Sequence, residues 1–207
     1  MKYEVTRFKS LTLALKDIEP FVRDGKHLLT GKPFQQFGNM RSREVLGNWL
    51  MCVVINAHLG KDSHTFNSDP QGSDGIILNT DTGETWPSEH VMVAKSYNSN
   101  EKNLCIEDRI INAFNKKLNK GGEAYASGKQ LIIFLNSDGG SWNPRKVAKK
   151  LPKRLCFADV WVVGLLPAET KQYVYSLSQL GTSDRDAPTW KVYIESDFCS
   201  WKVESIQ

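Results

Sequence analysis

The chain has 207 residues, of which 40% are hydrophobic and 24% charged, and its formal net charge is +4. This composition is typical of an ordinary globular protein that is long enough to form its own core, and it excludes a disordered or fibrous chain. No apolar stretch approaches the roughly 18 residues of a membrane span, so we expect no membrane partner. We expect a single domain over residues 1–207.

The cysteine pattern indicates a reducing compartment. The four cysteines lie roughly 45 to 55 residues apart and form no CxxC pair, which disfavours a zinc cluster and a disulfide scaffold. Each has apolar neighbours, so we expect small buried hydrophobic side chains. We therefore predict a cytoplasmic protein without a signal peptide. The four are Cys52, Cys105, Cys156 and Cys199.

The N-terminal extension, residues 1–40, is predicted to be helical in part. Residues 10–29 favour one or two short helices, and we expect breaks at Pro20 and Gly25 because proline disrupts a helix interior and glycine favours its end. Residues 30–40 have the composition of a loop.

Residues 42–58 give the clearest helix, because apolar side chains recur there on one wide face. Ser42 is the expected N-cap and Gly60 the expected C-terminal stop. The polar residues 61–73 that follow are predicted to be a loop.

Two strands are predicted at 74–79 and 84–95, joined by the turn sequence TDTG at residues 80–83. With a four-residue loop, Asn79 faces Glu84, and the same register places Asp74 directly opposite Glu89. Pro87 indicates an edge strand or a bulge, and a bulge would shift this register.

The remainder of the chain alternates helices and strands before an all-β tail. Continuously apolar strands joined through a helix favour a parallel, right-handed crossover, and the element order predicts a central mixed sheet with helices on its faces. The predicted elements are a helix at 105–119, a strand at 129–136, a helix at 144–151, a strand at 157–166, and tail strands at 172–178, 189–195 and 199–205.

Asp74 and Glu89 are candidate metal ligands. Two like charges on facing strand positions destabilise a sheet unless they are neutralised, and a divalent cation would neutralise them. Mg²⁺ is commonly held by one or two carboxylates with water and substrate phosphate. The alternative is a pair of exposed carboxylates at strand ends. Glu44, in the first turn of the 42–58 helix, is a third candidate, although acidic residues also favour helix N-termini through the macrodipole.

The helix with Glu44, the hairpin with Asp74 and Glu89, and the helix and strand that follow resemble the PD-(D/E)xK nuclease superfamily over residues 41–166. The resemblance implies a restriction-endonuclease-like αβββαβ core, with a helical extension before it and a β extension at 167–207. It implies an α/β fold and a nuclease activity that depends on Mg²⁺ or Mn²⁺.

The same resemblance implies that Asp74 and Glu89 bind the cation and that Glu44 assists them in catalysis. The cation would polarise the scissile phosphate and activate water. The family lysine should follow Glu89 by two residues, but that position is Val91. Lys129 or Arg109 is a candidate to replace it.

Residues 141–154 contain six of the 27 basic residues and no acidic one, which leaves 21 basic against 23 acidic residues elsewhere. A cluster of this kind predicts contact with nucleic-acid phosphates, although a solvated helix face is an equal alternative. We refer to the six as the basic patch: Arg145, Lys146, Lys149, Lys150, Lys153 and Arg154.

The leading hypothesis from the sequence is a metal-dependent nuclease, or a nuclease-like protein that processes DNA. One alternative keeps the fold as a non-catalytic protein that binds nucleic acid or another protein. Another is a protein–protein adaptor with no role in nucleic-acid chemistry. Either a homodimer or a separate protein partner is compatible with the sequence.

Overall fold

The computed structural model describes residues 8–24, 33–93, 104–136, 141–168 and 173–206. Within these residues, eight strands form one mixed sheet in which the strands follow one another in chain order. The strands are β1 (His64–Asn67), β2 (Ile76–Asn79), β3 (Thr85–Val93), β4 (Gln130–Leu135), β5 (Asp159–Leu166), β6 (Tyr173–Gln179), β7 (Thr189–Ile194) and β8 (Trp201–Ser205).

Five α-helices accompany the sheet in the described part of the chain. The predicted α/β class and the mixed sheet are thereby confirmed. The helices are α1 (Leu11–Asp24), α2 (Ser42–Leu59), α3 (Ile106–Leu118), α4 (Gly122–Ala126) and α5 (Pro144–Lys150).

The centre of the sheet is parallel and its two sides are antiparallel. β3 pairs with β4, and β4 with β5, in parallel orientation. The other neighbouring strands pair antiparallel. The parallel β4–β5 pair, connected through α5, is as expected from the two apolar strand sequences.

Each face of the sheet carries its own hydrophobic core. Helices α1 and α2 pack on the face that includes Ile132 and Phe134 of β4. Helices α3 and α5 pack on the opposite face, against Leu131 and Ile133. This alternation follows from the two-residue period of a strand, and it explains why the β4 sequence is apolar without interruption.

The ends of α2 show one correct and one incorrect prediction. Gly60 adopts a left-handed conformation (φ 66°) and its N–H donates to the Ala57 carbonyl, so the predicted stop is confirmed. Ser42 is not the N-cap, because the helix begins at Ser42 and the cap position is Arg41. The Glu44 carboxylate accepts a hydrogen bond from the Arg41 N–H instead.

Two further predictions about elements are wrong, and one short helix was not predicted. Helix α1 continues through Pro20, and its buried side chains continue beyond the proline to Val22. The segment 61–73 contains β1, which pairs with β2 over four residues. The short helix α4 was not expected after the glycine pair at Gly121. Residues 25–29 of the predicted N-terminal helices, and residues 94–95 of the predicted second strand, lie outside the described residues.

None of the helices in the described segments is long and apolar enough to cross a bilayer.

Candidate functional site

The β2–β3 hairpin has the register expected from its four-residue turn. Ile76 faces Pro87 in this register, and Pro87 therefore causes no shift. Beyond the paired strands, the Asp74 N–H donates to the Ser88 carbonyl at 3.0 Å, and the Ser88 N–H donates to the Gly75 carbonyl at 2.8 Å. Asp74 and Gly75 thus both bond to Ser88, so the regular pairing ends at Gly75 and Asp74 is not the direct partner of Glu89 that the register predicts. The two carboxylates are nevertheless close, because both lie within 3.5 Å of the same lysine ammonium.

One lysine ammonium lies between these two carboxylates. Lys117 Nζ is 2.9 Å from Glu89 Oε2 and 3.5 Å from Asp74 Oδ2. Lys129 Nζ is 2.9 Å from the other Glu89 oxygen, Oε1. The Tyr125 hydroxyl also donates to Glu89 Oε2. We call Asp74, Glu89, Lys117, Tyr125 and Lys129 the carboxylate–lysine cluster.

Glu89 remains ionised although it is only 5% exposed. Burial by itself would raise its pKa, but hydrogen bonds from Tyr125, Lys117 and Lys129 lower the pKa to about 2. Burial and the contact with Glu89 raise the pKa of Tyr125, so its hydroxyl keeps its proton and remains a donor.

The α3–α4–β4 segment supplies all three partners of Glu89. Lys117 lies in the last turn of α3, Tyr125 in α4, and Lys129 directly before β4. Lys129 had been considered as a replacement for the missing lysine, and it does contact Glu89. Arg109 lies near the start of α3, roughly 12 Å along the helix axis from Lys117.

Lys117 was missed by the sequence reasoning, although a signal for it exists. It follows Ala113 by four residues and Phe114 by three, and both are buried on the inner face of α3. Residues at these spacings share one helix face. A lysine that continues an apolar stripe therefore points toward the sheet.

A buried polar network on the opposite face positions Asp74. The His90 N–H donates to Asp74 Oδ2 at 2.7 Å, and Asn48 Nδ2 donates to the Asp74 carbonyl at 3.2 Å. Asn48 Oδ1 accepts from Ser88 Oγ at 2.7 Å and lies 3.3 Å from His90 Nε2. Burial lowers the pKa of His90 to about 4, so its ring is neutral at pH 7.

Glu44 lies near Asp74 but is engaged at the start of α2. Its Oε2 accepts from the Arg41 N–H at 2.8 Å, and its Oε1 is 3.7 Å from both the Arg41 and Arg43 guanidinium groups. Burial raises the pKa of Glu44, opposed by the Arg41 hydrogen bond and reinforced by the charge of Asp74. The contact with the helix N-terminus matches the alternative interpretation of this residue.

The acidic pair has the donor chemistry that a small divalent cation requires. Both carboxylates reach one cationic atom, Lys117 Nζ, and carboxylate oxygens are hard ligands. No group of three or more His, Cys, Asp or Glu side chains that could hold a metal occurs in the described segments. Asp74 and Glu89 are the residues that would hold such a cation, and both Glu89 oxygens already accept hydrogen bonds from protein donors.

Half of the basic patch is held by local contacts. Arg145 Nε donates to the Asp186 carbonyl at 3.0 Å. Lys150 Nζ lies 2.6 Å from Asp108, and Arg154 lies 3.3 Å from Glu123. All six members are exposed, and the other three lie on or just beyond α5: Lys146, Lys149 and Lys153.

No protein-family model matches the chain, and comparison with curated proteins finds no significant match. The resemblance to the PD-(D/E)xK superfamily consequently remains a prediction from the sequence.

Gly75→Ala should destabilise the fold and displace Asp74. Gly75 has φ 153°, and a Cβ there would lie 2.1 Å from Asn48 Nδ2, the donor to the Asp74 carbonyl. We expect a loss of about 3 kcal/mol in the free energy of unfolding, measured with urea. Gly72→Ala is the matched control, since Gly72 has φ 91° with no atom within 4 Å of a Cβ. Gly72→Ala should lose about 1–2 kcal/mol in the free energy of unfolding, because only the backbone strain at positive φ acts there. Equal losses in the two variants would contradict the steric argument.

Glu89→Gln should reduce stability most at neutral pH. The folded-state pKa of Glu89 is depressed to about 2, so its stabilisation is present above its ordinary pKa and disappears as the pH falls toward 2. We expect a deficit of roughly 2–3 kcal/mol at pH 7 that narrows steadily below pH 5, measured by urea unfolding across pH. Glu123→Gln, at an exposed ion pair, should cost under about 1 kcal/mol. A Glu89→Gln deficit that does not change with pH would contradict the charge argument.

Proposed function

We propose that this protein is a divalent-cation-dependent nuclease that hydrolyses phosphodiester bonds, with DNA as the favoured substrate. The observation that carries the proposal is the position of Lys117 Nζ, within 2.9 Å of Glu89 and 3.5 Å of Asp74. Two carboxylates that approach one cationic atom support the proposal that they share a metal ion, which would also contact a substrate phosphate.

Bound Mg²⁺ or Mn²⁺ would polarise the scissile phosphate and make water a stronger nucleophile. Asp74 and Glu89 would hold the cation. Tyr125 and the Asn48–His90 network fix the orientation of these two carboxylates. Preorganised ligands are a requirement for efficient electrostatic catalysis.

Lys117 and Lys129 would replace the lysine that is missing at Val91. An ammonium group binds phosphate oxygen as a compact point charge, so its position in the sequence matters less than its distance from the reacting phosphate. Both ammonium groups already contact Glu89.

The order of the elements supports the same proposal. From α2 through β1, β2 and β3 to α3 and β4, the described elements follow the helix, three strands, helix, strand order expected of the family core, with α4 inserted before β4. β1 is the first of these three strands, and it lies in a segment that was predicted to be a loop.

A non-catalytic protein that binds nucleic acid or a protein partner is the second candidate. The saturation of Glu89 favours it, because both carboxylate oxygens already accept from protein donors. A cation would compete with those donors, whereas a binding protein has no need to displace them.

Cleavage assays distinguish the two candidates. We expect slow cleavage of DNA with Mg²⁺ or Mn²⁺, abolished by chelation and reduced at least 100-fold by Asp74→Asn or Glu89→Gln, because each change removes a cation ligand. Lys117→Met should reduce the rate at least tenfold, and Lys116→Met, one residue away and exposed, should leave it within twofold.

The substrates should be supercoiled, linear and single-stranded DNA. Cleavage that is unchanged in both carboxylate variants would place the activity elsewhere. Absence of cleavage on every substrate, with binding retained, would favour the non-catalytic candidate.

Nucleic-acid binding should depend on the exposed lysines of the basic patch. DNA affinity falls with salt, and each phosphate contact contributes about −0.9 to the slope of log K against log salt concentration. Replacement of Lys146, Lys149 and Lys153 by Gln should therefore make this slope less negative by up to about three. Affinity should fall equally for all sequences, measured by salt titration. The charge-matched control is a triple variant in which Gln replaces Lys16 on α1, Lys191 on β7 and Lys202 on β8. Equal slopes in the two triple variants would identify the patch as a solvated surface.

A further inference from the structure

A cavity of about 320 Å³ lies between the second half of α2 and the sheet, on the face opposite the carboxylate–lysine cluster. Its walls carry two aromatic pairs. Trp161 and Trp190 stack with ring centroids 6.0 Å apart, and His64 and Trp86 do so at the same distance. Trp161 and Trp190 come from β5 and β7, and His64 and Trp86 come from β1 and β3. The two pairs therefore lie on opposite sides of β4 in the sheet.

Polar side chains line the cavity between these aromatic walls. Gln130 opens β4, and its Oε1 accepts a hydrogen bond from Trp161 Nε1 at 3.3 Å. Gln179 of β6 donates to the carboxylate of Asp159 on β5. Three polar groups from neighbouring strands are therefore held in place at the edge of an aromatic cavity.

This combination fits a planar heterocycle with hydrogen-bonding edges. Aromatic side chains in a cavity wall favour a ligand with π-faces, and carboxamide and carboxylate groups pair with ring nitrogens and exocyclic groups. Among the residues that the structure describes, the lining includes neither lysine nor arginine. A volume of about 320 Å³ accommodates one nucleobase with part of its sugar.

The cavity and the cluster meet at one edge of the sheet. Lys129 contacts Glu89 on the α3 face, and the next residue, Gln130, lines the cavity on the α2 face. Consecutive residues at the start of a strand point to opposite faces, and their Cα atoms are about 3.8 Å apart. The start of β4 therefore presents Lys129 on one face of the sheet and Gln130 on the other.

We propose that this cavity binds one unpaired nucleobase of the substrate, next to the phosphate that is held at the carboxylate–lysine cluster. The inference rests on the proposed function, and it adds that the substrate is single-stranded or has one base turned out of its helix. Stacking on aromatic side chains is the usual means by which proteins hold such bases.

Tryptophan fluorescence titration with free nucleosides tests the cavity without cleavage. The wild-type protein should bind at least one of the four common nucleosides saturably and should not bind ribose 5-phosphate. Trp86→Leu removes one wall and Gln130→Leu removes a polar partner, and each should weaken nucleoside binding at least tenfold. Trp142→Leu is the matched control, since Trp142 packs with the other core, and it should change binding less than twofold.

Glu89→Gln separates this inference from the proposed nuclease activity. Nucleoside binding should persist in this variant whether or not the wild-type protein cleaves DNA, because Glu89 lies on the opposite face. Urea unfolding confirms that each variant is folded before titration. The proposal fails if no nucleoside binds at millimolar concentration or if Gln130→Leu and Trp86→Leu, both folded, bind as the wild type does. It also fails if tetramethylammonium binds while nucleosides do not, which would assign the aromatic walls to a cation.

Discussion

A carboxylate that is removed from water loses several kcal/mol of hydration and must find opposite charge and hydrogen-bond donors inside the protein. Glu89 is in this position, because it lies on a central strand and is 5% exposed. Lys117, Tyr125 and Lys129 satisfy it. Their contacts attach the end of α3, the helix α4 and the start of β4 to β3, so the geometry of the site follows from the neutralisation of this single charge.

Asn48 has the corresponding role on the other face of the sheet. Its amide group bonds to the Asp74 carbonyl and to Ser88, and so connects α2 to the hairpin. A side chain on Gly75 would occupy the place of that amide. The two faces thus meet at one edge of the sheet, where Lys129 belongs to a charged cluster and Gln130 to an aromatic cavity. The backbone of β4 separates the charged cluster on one face from the aromatic cavity on the other.

Most of the local structure was predictable, because it depends on interactions between residues that are close in sequence. Apolar periodicity predicted α2 and α3, continuous apolar segments predicted β4 and β5, and the four-residue turn predicted the register of β2 and β3 from Ile76 to Leu78. The errors have local causes too. The short strand β1 lies in a polar segment, and α1 continues through Pro20 because its buried face extends beyond that residue.

The sequence by itself determined the α/β class and the β2–β3 hairpin, and it identified the two carboxylates that come close at the end of that hairpin. Only the tertiary structure decided what neutralises them, since Lys117 is 28 residues from Glu89 and Lys129 is 40 residues away. It also brought His64, Trp86, Trp161 and Trp190 from four strands around one cavity. The physical reason is that the energy of a buried charge or a stacked ring depends on distance through space, and the packing of helices on the sheet sets that distance independently of separation along the chain.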